Sequence, residues 1–442
     1  MSSMETRIGD IGQITAVGER VEAMKQLLDD VMQLQDIQMT TAIQTYVQDA
    51  ILNRANLSGA GLIAARESLS LLNQRLKEAN ESKKGVLANE PVYIEVLRGI
   101  VEACRDHSNA LEDQLADTRI ELADHLESQR QWTDAIQLLE TTVSNNQLRS
   151  KSETYWLRVY VRLMRLYLMG DALASADLYL KKASSLLHAL QLDSAQPDAS
   201  PLLFEFRQYQ AELYDRQQRF YDAALRFQNL CATKDLSHNK QADFFLRSIL
   251  CAVLAPVSQQ RSRLIEQLSV DPRVDSPRWA EVLNKLARKQ LIREETMHFV
   301  DQYLLPHQKT KSIDSEASVL IHAIAEHNVQ ACSFYYTSTS FASLSKVLHL
   351  SVDASEALVA QMIVREKLPG TCCIDQVAGV VNFGYNEPQS SQRSIEDADH
   401  DLDIKSANQS VDLENISRQC RDRRTKASLA YLSEAYAMLQ KS

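Results

Sequence analysis

The sequence predicts a mainly α fold: a right-handed helical-repeat solenoid, then a winged helix, then one long C-terminal helix. Three observations carry this expectation. Apolar residues recur three and four apart along most of the chain, which is helical spacing. A four-position pattern of small and bulky residues occurs three times at repeat-like intervals. The one persuasive β pattern is a short hairpin that follows two short helices. Of 442 residues, 45% are hydrophobic and 24% charged, so material for a core is ample and wholesale disorder is excluded. Only 11 are glycine, which argues against folds built on glycine-rich phosphate loops. The patterns G-x-x-x-x-G-K, G-x-G-x-x-G and G-x-S-x-G are all missing.

The N-terminal stripe Ile14, Val17, Val21, Met24, Leu28 and Val31 lies on one helical face. It spans about three heptads, near the minimum for a coiled coil, and a core-facing helix is the preferred expectation. Further helices are expected over Ala42–Arg54, Gly61–Leu76 and Val92–Leu111, with a polar break from Asn80 to Gly85. The repeat follows as Ala123, Leu126, Trp132, Ala135; then Met164, Tyr167, Leu173, Ala176; then Ala211, Tyr214, Phe220, Ala223. This is the spacing of a TPR-like helix-turn-helix: small residues admit the close approach of two antiparallel helices, and the large one fills the gap to the next pair.

After Tyr336 the chain changes character. Phe341, Leu344, Val347 and Leu348 mark a short helix, and Ser351–Asp353 a break. Asp353 and Glu356 then have capping-box spacing ahead of a second helix carrying Ala354, Leu358 and Met362. Strands are expected over Cys372–Gln376 and Val380–Phe383, joined by a turn at Gly379. Gly384–Ser410 is polar and acidic, the composition of a mobile loop. Helix resumes with the stripe Leu413, Ile416, Cys420, Ala427, Tyr431, Ala435 and Met438, a seam that must dock on something. The expected divisions are an arm over 1–290, helices and winged helix over 291–385, a flexible acidic loop over 386–410 and a bundle helix over 411–442.

No catalytic set is found, and neither cofactor nor metal is expected. Asp397, Asp399, Asp401 and Asp403 alternate like half a calcium loop, but Leu402 and Asn408 stand where a glycine and a glutamate are required. His322 and His327 are five apart and so off a common helical face. No H-x-H pair of the zinc-isopeptidase kind occurs. Cys372 and Cys373 are adjacent in a strand and point to opposite faces. The seven cysteines are scattered, and the longest apolar run, Ile249–Ala255, is far short of a bilayer span. A soluble, reduced intracellular protein is expected. The net charge of −10 disfavours nucleic acid and anionic membranes as partners. The winged helix itself, with Lys346, Arg365 and Lys367 against Asp353, Glu356, Glu366 and Asp375, sums to −1. Arg421, Arg423 and Arg424 form the one basic cluster, read as a solvated or partner-facing edge.

Helical pairs running into a winged helix are the plan of the PCI-domain family, found in subunits of the proteasome lid, the COP-nine signalosome and a translation initiation factor. Within it the chain resembles the fourth-subunit family of the signalosome in Gln114–Trp132 (QLADTRIELADHLESQRQW), Ser258–Arg263 (SQQRSR), Leu305–Lys309 (LPHQK), Ala325–Asn328 (AEHN) and Ile374–Phe383 (IDQVAGVVNF). Residues 1–90 and the acidic loop match poorly. The resemblance implies a non-catalytic scaffold and substrate-sensing subunit of a complex that removes the modifier Nedd-eight from cullins, acting in nucleus and cytoplasm. It implies partners among the other PCI and MPN subunits, and cullin-RING ligases met through the N-terminal arm. It also implies that winged helices pair through wing strands and that C-terminal helices bundle, which makes Ile374, Val381 and Phe383, together with Leu413, Ile416, Cys420, Tyr431 and Met438, the expected partner-binding residues. Rival readings are a proteasome-lid subunit and a nucleic-acid-binding winged helix of the messenger-export kind.

Overall fold

A computed structural model describes most of residues 7–384. A few residues before 16, residue 275, the segments 33–37, 53–59, 83–88, 106–107, 145–150, 190–200, 234–235, 312–316 and 369–370, and all of 385–442 lie outside the description. The chain packs as two compact units, one up to Leu213 and the other from Tyr214. The arm boundary expected at 290/291 falls inside the second unit.

The first unit opens with α1 (Val17–Met32), α2 (Gln38–Thr45), which continues as a π-helical turn over Tyr46–Ile51, then α3 (Ala60–Ser82) and α4 (Glu90–Ala103). Met24, Leu28 and Val31 of α1 are buried. Their neighbours belong to the same chain: the Ser68 hydroxyl lies 2.9 Å from Met24 Sδ, and Tyr46 donates to the Met24 carbonyl at 3.2 Å. The stripe is therefore a core face, as preferred over a coiled coil. The helix expected over Val92–Leu111 is in fact two. The first, α4, stops at Ala103, and α5 (Ser108–Ser128) begins beyond a turn at Cys104 and kinks at Leu111 (φ −118°, ψ 18°). Ile100, Cys104 and Leu111 are all buried, so the apolar period runs on through a break that it cannot reveal.

The first two repeats are helical hairpins, α5 with α6 (Trp132–Ser144) and α7 (Glu153–Met169) with α8 (Leu173–Ala189), and the third set lies on α9 (Pro201–Arg216) and α10 (Phe220–Cys231). Ala123, Ala135, Met164, Ala176, Ala211 and Ala223 are all fully buried, as the close approach of paired helices requires. Each set turns through one left-handed residue at the same repeat position, Arg130 (φ 62°), Asp171 (φ 58°) and Gln218 (φ 59°). The next residue's N–H reaches back five residues, Gln131 to Leu126 at 2.9 Å, Ala172 to Tyr167 at 3.0 Å and Arg219 to Tyr214 at 2.9 Å. That closure satisfies the orphan carbonyls of the outgoing helix, a task usually given to glycine. A chain poor in glycine thus still builds tight interhelical turns.

In the second unit α11 (His238–Leu254), α12 (Gln259–Val270), α13 (Pro277–Ala287) and α14 (Glu294–Asp301) lead through a short 3-10 turn, Pro306–Lys309, to α15 (Val319–Tyr335). The run Ile249–Ala255 is the wholly buried end of α11. Then come β1 (Ser338–Ser340), α16 (Phe341–Leu348), α17 (Val352–Val364), β2 (Cys373–Asp375) and β3 (Val380–Asn382). The mainly α class holds, with stacked helical hairpins followed by a winged helix. The terminal helix expected over 411–442 lies outside the described residues.

Candidate partner-binding surface

The winged helix is assembled by short-range polar caps and one small core. Ser340 accepts from Ser343 N at 3.3 Å to start α16, and Ser351 accepts from Ala354 N at 3.2 Å to start α17. The cap of α17 is thus Ser351, not Asp353 as its spacing to Glu356 suggested. Asp353 instead lies in the first turn, where its charge meets the positive helix end. The two helices cross at 92°, as helix-turn-helix pairs do. Phe341, Leu344, Leu358, Val359 and Met362 form the core on which the sheet is laid.

That sheet has three strands in the order β1-β3-β2, not the two expected. Sequence reasoning missed β1 because Ser338–Ser340 has no apolar alternation; pairing with β3 alone makes it a strand. The third strand corrects the expected partner-binding set. Strand β3 is central, pairing Val381 with Thr339 on one side and Ile374 on the other. Val381 and Phe383 are fully buried in the module's own core and have no surface to offer a partner. Ile374 lies on edge strand β2, half-buried against that core. Beside it Cys373 and Asp375 are exposed, and at the wing tip, just before Gly379 (φ 63°), Val377 stands wholly in solvent. The sheet has two edges, β1 and β2, and the exposed side chains Cys373, Asp375 and Val377 lie along and beyond the β2 edge. Leu413, Ile416, Cys420, Tyr431 and Met438 lie outside the described residues, as do the acidic loop and the arginine cluster.

Four of the five strings behind the resemblance carry buried polar clasps, the fifth being the wing hairpin itself. In SQQRSR, Ser258 caps α12, and Arg261, 3% exposed, gives its guanidinium to the Ala252 and Val253 carbonyls at the end of α11, both at 3.0 Å. In LPHQK, His307 and Gln308 hold the buried Asp215 carboxylate at 2.9 and 2.8 Å. In AEHN, Asn328 pairs both ways with the Ile292 backbone, His327 Nε2 meets the Gln290 carbonyl at 2.9 Å, and Glu326 binds Lys367 and the Val257 N–H. Burial works to raise the Glu326 carboxyl, but His322, Lys367 and that N–H outweigh it and hold it at about 2. Burial, aided by the Arg261 charge, pushes the His327 imidazole down to about 3. Within Gln114–Trp132, Arg119 meets Glu112 at 2.6 Å in the interior, and Glu127 takes both Arg162 and Arg165. Arg119 and Glu112 are two turns apart on one helix, whereas Glu127 with Arg162, Asp215 with His307 and Glu326 with Lys367 are separated by 35, 92 and 41 residues, so only tertiary structure pairs them.

No group of three or more His, Cys, Asp or Glu fit to hold a metal exists among the described residues. His322 and His327 face different partners, Glu326 at 3.5 Å and the Gln290 carbonyl. Burial pushes the Cys332 and Cys372 thiols up to about 11, far from thiolate reactivity, and Cys373 alone of the strand pair is exposed. Of the three cations in the winged helix, Lys367 is spent on Glu326, which leaves still less for phosphate.

Helical hairpins that end in a winged helix define the PCI class, and a family model described as "PCI domain" matches residues 300–384. A second, described as "PSMD12/CSN4, N-terminal", matches residues 8–239, more than half of the chain. The chain belongs to this PSMD12/CSN4 family. It is similar to the COP9 signalosome complex subunit 4 of Caenorhabditis elegans, 27% identical over 75% of this chain and 78% of the relative. The subunit 4 of Drosophila melanogaster is 25% identical over 84% and 85%, and that of Arabidopsis thaliana 27% over 62% and 68%.

Proposed function

We propose that the chain serves as subunit four of a COP9 signalosome, a non-catalytic scaffold that holds PCI and MPN sibling subunits. In this reading the complex removes a ubiquitin-like modifier from cullin-RING ligases in nucleus and cytoplasm, and the N-terminal repeats meet the cullin. The carrying observation is the open edge of β2 beside a family match that spans both ends of the described chain. Unpaired backbone groups on an edge strand are satisfied by a neighbour's strand, which supplies affinity, while exposed side chains set the choice of neighbour.

The test is co-purification from a native lysate followed by a cullin-cleavage assay. Cys373→Lys with Val377→Lys, both at exposed positions, should abolish recovery of sibling subunits and leave the monomer's melting temperature unchanged; deletion of 411–442 should do the same. The isolated chain should show no cleavage activity and no stoichiometric zinc. Full assembly retained by both variants would defeat the reading. The rival reading is a proteasome-lid subunit of the same plan, and the mass and composition of the recovered complex separate the two. Retention of nucleic acid on a filter through a salt series would instead favour the messenger-export reading.

A further inference from the structure

We propose that residues 395–404 of this same chain dock on an aromatic and cationic patch at the end of α15, formed by Phe334 and Tyr336 with Arg288 and Lys289. The proposal does not depend on the signalosome assignment.

Helix α15 is buried along much of its length, yet its end is open: Phe334 is 48% exposed, and Tyr336, which caps the helix, 45%. Lys289, the left-handed residue (φ 55°) in the turn after α13, brings its Nζ to 5.6 Å from the Phe334 ring centre. The neighbouring Arg288 is exposed. Among the described residues no carboxylate pairs with either cation. Rings that served only to pack the winged helix on α15 would be covered, as Phe341 and Phe383 are. Open rings beside unpaired cations are complemented by a segment that carries carboxylates and apolar side chains together.

Position narrows the occupant. The Phe383 N–H donates to the Thr337 carbonyl at 2.8 Å, so the chain leaves β3 beside the residue that follows Tyr336. Phe334 is three residues from Thr337, and the backbone carrying both rings therefore lies within about 10 Å of this exit. Residues that follow Gly384 are held near the patch at an effective concentration on the order of millimolar, which favours them over a partner free in solution. Charge then selects among them. Between Arg393 and Lys405, residues 395–404 interleave the carboxylates of Glu396, Asp397, Asp399, Asp401 and Asp403 with Ile395, Ala398, Leu402 and Ile404. The later apolar stripe carries Arg421, Arg423 and Arg424, which the two cations would repel. The receiving face adds no carboxylate of its own, since neither 282–293 nor 327–352 contains Asp or Glu. Those that border these stretches are engaged or set back. Glu281 is held by Lys285, Glu326, about 12 Å down α15, by Lys367, and Asp353 meets the start of α17. Glu294 and Glu295 follow Ile292, which is fastened to Asn328 about 9 Å down the same helix. Asp375 lies on β2, the edge opposite β1, and Glu366 adjoins Lys367.

The experiment is photo-crosslinking in the full chain, with a benzophenone amino acid in place of Tyr336 and the attachment site mapped by mass spectrometry. Heavy and light isotopic chains mixed before irradiation distinguish attachment within one chain from attachment between two. The probe should attach to residues 395–404 of its own chain, and the reciprocal probe in place of Ile395 should mark residues 334–337. Arg288→Glu with Lys289→Glu should lower the yield about tenfold at unchanged melting, and so should Asp399→Asn, Asp401→Asn and Asp403→Asn together. Yield should also fall as salt rises. Attachment to residues 411–442 or to a second copy, no attachment from either probe, or a yield unmoved by the charge variants would overturn the proposal. Because the readout needs no sibling subunit, its failure is distinct from failure of the signalosome reading.

Discussion

His327 shows how one buried side chain can set the response of the whole second unit to acid. Its imidazole titrates near 3 in the folded chain against an ordinary 6.5. The unfolded chain therefore takes up a proton that the folded chain refuses. Stability is fully present above pH 6.5 and falls as pH drops toward 3, by up to about 1.4 kcal/mol per pH unit. Urea midpoints between pH 7 and 5 should show this slope. His327→Gln, whose amide can still donate to the Gln290 carbonyl, should flatten it. Backbone strain gives a second pair of tests. His349 ends α16 in the left-handed region (φ 54°, ψ 37°), so His349→Gly should stabilise by about 0.5 kcal/mol, the relief of a β-carbon clash less the entropy added to the unfolded chain. Gly384 (φ 70°) is the reverse: a β-carbon there collides with Thr371, and Gly384→Ala should cost about 1–3 kcal/mol in denaturant titration.

At the scale of elements, polar clasps rather than apolar seams decide which helix ends lie together. Glu326 on α15 ties the start of the segment before α12, through the Val257 N–H, to Lys367 just past α17. Removing one member of a buried pair leaves an uncompensated charge, so Lys367→Met should destabilise by about 3–5 kcal/mol at pH 7. The sign with pH follows from Glu326 being held at about 2 against 4.5. The pairing stabilises above pH 4.5 and is lost as pH falls toward 2, so the penalty of the variant should shrink over that window. Denaturant midpoints of the two proteins across pH measure this directly. The hairpins rest on small residues in the same way, and Ala176→Leu, at a site with no free volume, should cost about 1–3 kcal/mol by overpacking.

For the whole molecule, class and repeats were legible in the sequence where the interface was not. The three repeat sets each straddle a real turn, because small residues at fixed offsets are a local record of close helix approach. The resemblance strings were visible as strings, but the pairing of Arg261 with the end of α11, or of Asp215 with His307 and Gln308, was not. The expected interface failed at Val381 and Phe383 because a strand's apolar alternation is the same whether its face meets a partner or its own core. Only the unsuspected strand β1 shows that β3 lies in the middle. At this scale the prediction is that assembly depends on the exposed edge and tip. Variants at Cys373 and Val377 should leave monomer stability intact yet lose the siblings, whereas Phe383→Asp should unfold the module, a difference that thermal melts of the isolated chain will separate.

By itself, then, the amino-acid order determined that this protein is helical, repeated and finished by a winged module, since periodicity, small-residue spacing and serine caps act over a few residues. Which strand is central, and that Asp215 meets His307 and Glu326 meets Lys367, were decided only on folding. Each depends on the partner that chain closure brings from tens of residues away, and local pattern carries no information about that partner.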